Sequence, residues 1–152
     1  MIDAIFAHTN LIAADWRKLA AFYEQVFGCV PVPPERHYAG PALEAGTGVS
    51  GATLAGVHLR LPGHGNAGPT LEIFTYSVQP PHAQTMVNRP GFGHIAFQVP
   101  DVLAARDAVL AAGGSAVGDV VSLTTDNGAV VTWCYVTDIE GNAIELQAWS
   151  LT

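Results

Sequence analysis

Histidine, aspartate and glycine recur along this chain at one fixed offset. "FAHTNLIAADW" holds His8 and Asp15, and "GFGHIAFQVPDV" holds His94 and Asp101. Gly28 and Gly114 follow in their turn, so that 94 − 8, 101 − 15 and 114 − 28 all equal 86. Three coincident spacings point to an internal duplication of one strand–helix unit. The chain is then expected to be tandem copies of a single module.

The periodicities say what each copy contains. After Asp15, an N-cap residue, Leu19, Phe22, Tyr23, Val26 and Phe27 fall on one helical face, and Gly28 ends the helix. In the second copy His94 opens the alternation Ile95, Phe97 and Val99 against Ala96 and Gln98, which reads as a strand. Pro100 and Asp101 then open a helix with Val102, Ala105, Val109 and Ala112 in phase, and Gly113 and Gly114 stop it. Strand-like runs follow in both copies: "ATLAGVHLRL" and "PTLEIFTYSV" around the loop "PGHGNAGP", then "AVVTWCYVTD" and "AIELQAW" around a turn.

The predicted fold is therefore α+β: tandem βαβββ modules forming a cupped mixed sheet with helices on the outer face. Residues 1–152 are expected to form a single domain, module one about 1–88 and module two about 89–152. From histidine to glutamate takes 72 − 8 = 64 residues in the first module and 145 − 94 = 51 in the second. The excess of 64 − 51 = 13 is assigned to longer loops between Pro31 and Pro69.

Strand alternation orients the polar residues. Ile95, Phe97 and Val99 share the helix-covered face, which sends His94 to the other side, and in "AIELQAW" the same logic separates Glu145, Gln147 and Trp149 from Ile144, Leu146 and Ala148. Glu72 goes with Phe74 and Tyr76. If the two sheets curl toward each other, two imidazoles and two carboxylates converge on the concave side. Two carboxylates in a partly dry cleft repel unless protons or a cation compensate, and a divalent ion with two His and two Glu is neutral. Mixed nitrogen and oxygen ligation suits Ni²⁺, Co²⁺, Mn²⁺, Fe²⁺ or Zn²⁺ better than Ca²⁺ or Mg²⁺.

Composition removes several classes of partner. The net charge is −7 and the six basic residues are scattered, so neither nucleic acid nor an anionic membrane is an expected partner. Hydrophobic residues make up 49% and charged ones 12%, which argues for a packed core rather than disorder. No apolar run approaches the roughly 20 residues that span a bilayer, and the N-terminus lacks an export pattern. The expected location is cytoplasmic. Cys29 and Cys134 form no CxxC and are read as buried free thiols.

"HTNLIAADWRKLAAFYEQVFG", "GFGHIAFQVPDV" and "DIEGNAIELQAW" resemble the signatures of the vicinal oxygen chelate superfamily, also called the glyoxalase/bleomycin resistance/dioxygenase superfamily. The likeness runs from His8 to Trp149. It implies metal ligation by His8, Glu72, His94 and Glu145, and assembly as a homodimer whose modules pair within one chain or across two. This ligand set is most similar to that of glyoxalase I, lactoylglutathione lyase. Glyoxalase I commonly carries an arginine four residues after the first ligand, where this chain has Ile12, so glutathione is not supported as the substrate handle. A phosphate-rich CoA ester is not favoured by so few basic residues either.

The resemblance implies an isomerase or lyase reaction on a small substrate with adjacent oxygens. The ion polarises the carbonyl and stabilises an enediolate, while Glu145 or Glu72 moves a proton between neighbouring carbons as the catalytic base. Phe74, Trp133, Tyr135 and Gln147, with Trp149 beside them, are candidates for the substrate pocket, though the aromatics would also serve as core. The alternatives are a metal-dependent extradiol-type dioxygenase and a metal-free drug-binding protein. A solvent-facing glutamate on an edge strand would leave the same pattern as Glu72. His37, His58, His64 and His82 are read as structural or solvated, with a loop over the site as a minor role for His64.

Overall fold

A computed structural model describes residues 2–81, 83 and 86–150; His82 lies outside them. The chain divides into two compact units, Met1–Pro81 and His82–Thr152. In the first, β1 (His8–Ile12), α1 (Trp16–Phe27), β2 (Val30–Ala39), α2 (Pro41–Thr47), β3 (Thr53–Arg60) and β4 (Thr70–Tyr76) build a four-stranded sheet in the order β1-β4-β3-β2. In the second, β5 (Ile95–Gln98), α3 (Val102–Ala111), β6 (Ser115–Ala116), β7 (Val121–Thr124), β8 (Val130–Thr137) and β9 (Ala143–Ser150) give the order β5-β9-β8-β6, with β7 also on β8. Both sheets are mixed: β1–β4 and β5–β9 are parallel and the other pairs antiparallel. The class is α+β with neither sheet closed into a barrel, as the duplicated pattern predicts.

Local chemistry sets the helix ends. Asp15 accepts hydrogen bonds from the backbone N–H of Arg17 and Lys18 at 3.1 and 3.3 Å, and Asp101 accepts one from Ala104 at 3.0 Å. Each aspartate satisfies donors that the first helical turn leaves free. Gly28 stops α1 at φ 67, a left-handed conformation that costs glycine nothing. Leu19, Phe22 and Tyr23 are buried and α1 packs on β3 and β4, whose Leu59, Leu71 and Ile73 are wholly buried. In the second unit α3 packs on β8 and β9, and Val109, Val136, Ile144 and Leu146 are wholly buried. Truncating any of these leucines or isoleucines to alanine is expected to cost about 2–5 kcal/mol.

The stretch between Pro31 and Pro69 is more ordered than a set of long loops. It contains most of β2, then α2 and β3, and a short 3-10 turn at Gly65–Ala67. Its prolines obscure the strand signal. They are tolerated because β2 is an edge strand, and its register against β3 shifts between Val32 and Arg36. In the second unit two short strands, β6 and β7, stand against β8 instead.

Glu72 is not on an edge. Strand β4 lies between β1 and β3, just as β9, which carries Glu145, lies between β5 and β8. The turn into β9 is fixed by Asp138, 2% exposed, whose carboxylate accepts from the backbone N–H of Glu140 and Asn142 and from Asn142 Nδ2, each at 2.9 Å. Cys29 and Cys134 are buried and free.

Candidate metal-binding histidine–glutamate pairs

Register decides which side chains meet. In the first unit β1 and β4 align Asn10 with Glu72, and β3 and β4 align His58 with Glu72 and Gly56 with Phe74. Partners across a ladder share a face, so His8, Asn10, His58, Glu72 and Phe74 stand on one side. The helix packs on the other. His8 Nε2 lies 3.1 Å from Glu72 Oε2, and His58 Nε2 lies 2.8 Å from Glu72 Oε1. Asn10 Nδ2 donates to Oε2 at 3.2 Å, and the two imidazoles meet edge to face with centroids 5.9 Å apart.

The second unit repeats the arrangement. His94, immediately before β5, places Nε2 3.0 Å from Glu145 Oε2. Tyr135 is the cross-strand partner of Glu145, as His58 is of Glu72. The Tyr135 ring lies 5.1 Å from the ring of His94 and 5.1 Å from that of Trp133, which in turn is aligned with Gln147. Trp149 Nε1 donates to Gln147 Oε1 at 2.7 Å. Trp133, Tyr135, Glu145, Gln147 and Trp149 thus form one continuous face beside His94.

The structure therefore joins His8 to Glu72 and His94 to Glu145, each pair within its own unit. Phe74 differs from the second-unit aromatics: it is buried, packing over Gly56 with its ring 6.1 Å from that of His58. Of the two sequence readings of His58, structural or solvated, its contacts support the first. It sits in β3 with a side chain 20% exposed, against the carboxylate of a predicted ligand. The alternation of "TLAGVHLRL" carried the signal, because His58 is two residues from Gly56 and occupies the polar phase of that strand. His37 and His64 are exposed. A separate cavity of about 460 Å³ at the far end of the same sheet, lined by Trp16, Tyr38, Leu54 and Tyr76 among others, touches none of the four predicted ligands.

Burial holds the His58 imidazole below its ordinary range, an effect the Glu72 carboxylate opposes. Burial likewise raises the Tyr135 phenol, and the Glu145 carboxylate adds to it.

The donor set fits a transition-metal ion. Bonds of about 2.0–2.2 Å at right angles put adjacent donors about 2.8–3.1 Å apart. The two His–Glu separations of 3.1 and 3.0 Å fall in that range, which is also that of an ordinary hydrogen bond. Among the described residues no three His, Cys, Asp or Glu side chains already surround a common point, since His8 and His58 address different oxygens of Glu72.

The family model described as the Glyoxalase/Bleomycin resistance protein/Dioxygenase superfamily matches residues 5–146. The chain belongs to that superfamily. The match spans both His–Glu pairs. Among solved structures, a glyoxalase family protein of Bacillus cereus superposes with a TM-score of 0.77 at 19% identity, over 97% of this chain and 94% of that one. The fosfomycin resistance protein FosX of Listeria monocytogenes gives 0.60 at 18% identity, over 99% and 97%. A virulence protein of Salmonella typhimurium gives 0.54 at 19%, over 99% and 100%. No curated protein matches the chain. These likenesses carry the fold, and membership of the superfamily supports a metal-dependent enzyme acting on a small molecule. Among the described residues no helix is long and apolar enough to cross a membrane.

Proposed function

We propose that this protein is a divalent-metal-dependent isomerase or lyase of glyoxalase type, acting on a small substrate with vicinal oxygens. His8, Glu72, His94 and Glu145 are the ligands of one ion, drawn from Ni²⁺, Co²⁺, Mn²⁺, Fe²⁺ or Zn²⁺. The observation that carries this reading is the repetition, in two copies of one module, of a His Nε2 at 3.1 and 3.0 Å from a glutamate oxygen.

A bound divalent ion supplies Lewis-acid polarisation of the substrate carbonyl. The chain supplies the rest. Glu145 or Glu72 takes a proton from the carbon beside that carbonyl and returns it to the neighbouring carbon. Among the described residues Glu145 is held by the single donor His94, whereas Glu72 has three neighbouring donors. Trp133, Tyr135 and Gln147 form the wall against which the substrate packs, and Phe74 supports the wall beside Glu72. Ile12 stands where glutathione-dependent relatives hold an arginine, so the adduct expected here uses another thiol or none. A homodimer in the cytoplasm completes the reading, the first part of which light scattering tests.

The decisive experiment is metal analysis of the purified protein, followed by turnover of 2-oxoaldehyde adducts of several thiols. Glu72→Gln and Glu145→Gln are expected to abolish turnover with circular dichroism unchanged. Full activity in both variants removes the base assignment. The aromatic face of Trp133, Tyr135 and Trp149 favours a second reading, a metal-free cup for a planar drug. A protein with no affinity for transition metals that binds such a ligand supports it. Oxygen uptake with catechols separates the extradiol alternative.

A further inference from the structure

Glu72 and Glu145 stand at equivalent places in the two copies, yet their surroundings differ. On the rung opposite Glu72 the first unit has His58, and on the rung opposite Glu145 the second has Tyr135. On the parallel neighbour the first unit has Asn10 and the second has Ala96. Glu72 is therefore met by donors on both oxygens. Among the described residues Glu145 meets His94 alone, and no hydrogen bond joins it to Tyr135.

A carboxylate only accepts, so the proton between His58 and Glu72 Oε1 resides on His58 Nε2. His58 Nδ1, on the other side of the ring, lies 3.1 Å from Thr70 Oγ1. Thr70 is two residues before Glu72 on β4 and shares its face. The contacts of Thr70 Oγ1 with His58 Nδ1 and of His58 Nε2 with Glu72 Oε1 hold the imidazole ring in place and fix the rotation of the carboxylate. Oε2 is left toward His8 Nε2, with Asn10 Nδ2 donating to it from the side.

We propose that His58, itself oriented by Thr70, is a positioning residue that holds Glu72 in the orientation where Oε2 serves as a metal ligand beside His8. The inference rests on the reading of Glu72 as a ligand and assigns His58 no contact with the ion. Partners of this kind, one bond removed from a metal, fix ligand orientation and typically change affinity ten- to hundredfold when removed. The second unit, with Tyr135 and Ala96 in the same places, does without such a clamp.

The test uses the full chain stripped with a chelator. Ni²⁺ binding is measured by calorimetry, and Co²⁺ binding by its visible absorption, which reports ligand geometry. His58→Phe is expected to weaken Ni²⁺ binding about ten- to hundredfold and to shift the Co²⁺ bands. His58→Gln, which keeps an N–H donor, restores much of the affinity, and Thr70→Val weakens binding by less than His58→Phe. Wild-type binding in both His58→Phe and Thr70→Val, with binding lost in Glu72→Gln, overturns the inference and leaves Glu72 a ligand. Loss in His58→Phe without rescue by glutamine and without any effect of Thr70→Val marks a packing effect and overturns it too. If His58→Phe does not fold, His58→Ala takes its place, wild-type binding and spectra in both His58→Ala and Thr70→Val being the overturning result. A wild-type protein that binds neither ion, or Glu72→Gln binding as the wild type does, removes the ligand reading itself.

Discussion

Gly56 lies directly opposite Phe74 on the β3–β4 ladder, and the Phe74 ring occupies the space where a side chain at residue 56 would stand. A Cβ there would overlap both Phe74 Cδ1 and the Ile73 carbonyl oxygen. Gly56→Ala is therefore expected to destabilise the fold by about 1–3 kcal/mol, since overpacking forces backbone and ring to shift. Urea melts read this directly. A loss below about 0.5 kcal/mol, the size of an ordinary surface substitution, would show that Phe74 moves aside freely.

The buried Asp138 carboxylate organises the turn between β8 and β9 by accepting three hydrogen bonds. Removing it orphans the N–H groups of Glu140 and Asn142 in a half-buried turn. Asp138→Ala should cost roughly 2–3 kcal/mol, and Asp138→Asn, which keeps an acceptor oxygen, less. Equal losses in the two variants would argue that the charge, not the hydrogen-bond geometry, matters.

Burial pushes the Cys29 thiol up to about 11, with Glu24 adding to the effect. Its protonated form is thus favoured by folding. The stability this confers is complete below the unfolded thiol's ordinary value and is lost as pH rises from there through about 11. Comparing urea melts at pH 8 and pH 10.5, the wild type should lose about 1–3 kcal/mol more than Cys29→Ala. An identical alkaline loss in both proteins contradicts the assignment.

The two His–Glu pairs are expected to serve one ion rather than one each. Calorimetry of the stripped protein should give one Ni²⁺ per chain, and saturation at a hundred times Kd should add about 2.7 kcal/mol of stability. His8→Ala and His94→Ala should each remove most of this gain. Two ions per chain, with each variant losing only one, would separate the pairs.

The duplication at an offset of 86 residues, the capping aspartates, the helical faces and the polar phase of the strands were all local, and so could be read from residue order alone. They determined the α+β class and put His8, Glu72, His94 and Glu145 on the polar faces of their strands, while the family resemblance made them candidate ligands. The strand β2, rich in proline, was hidden because proline suppresses the local signal while an edge position tolerates it. His58 was hidden for a different reason. Its role depends on which residue of β4 stands opposite, and a register across 14 residues of turn and strand is a tertiary outcome, 72 − 58 = 14. Only hydrogen-bonded pairing between strands decides that His58 meets Glu72 while Tyr135 meets Glu145, because alternation fixes the face of a side chain and register alone fixes its neighbour.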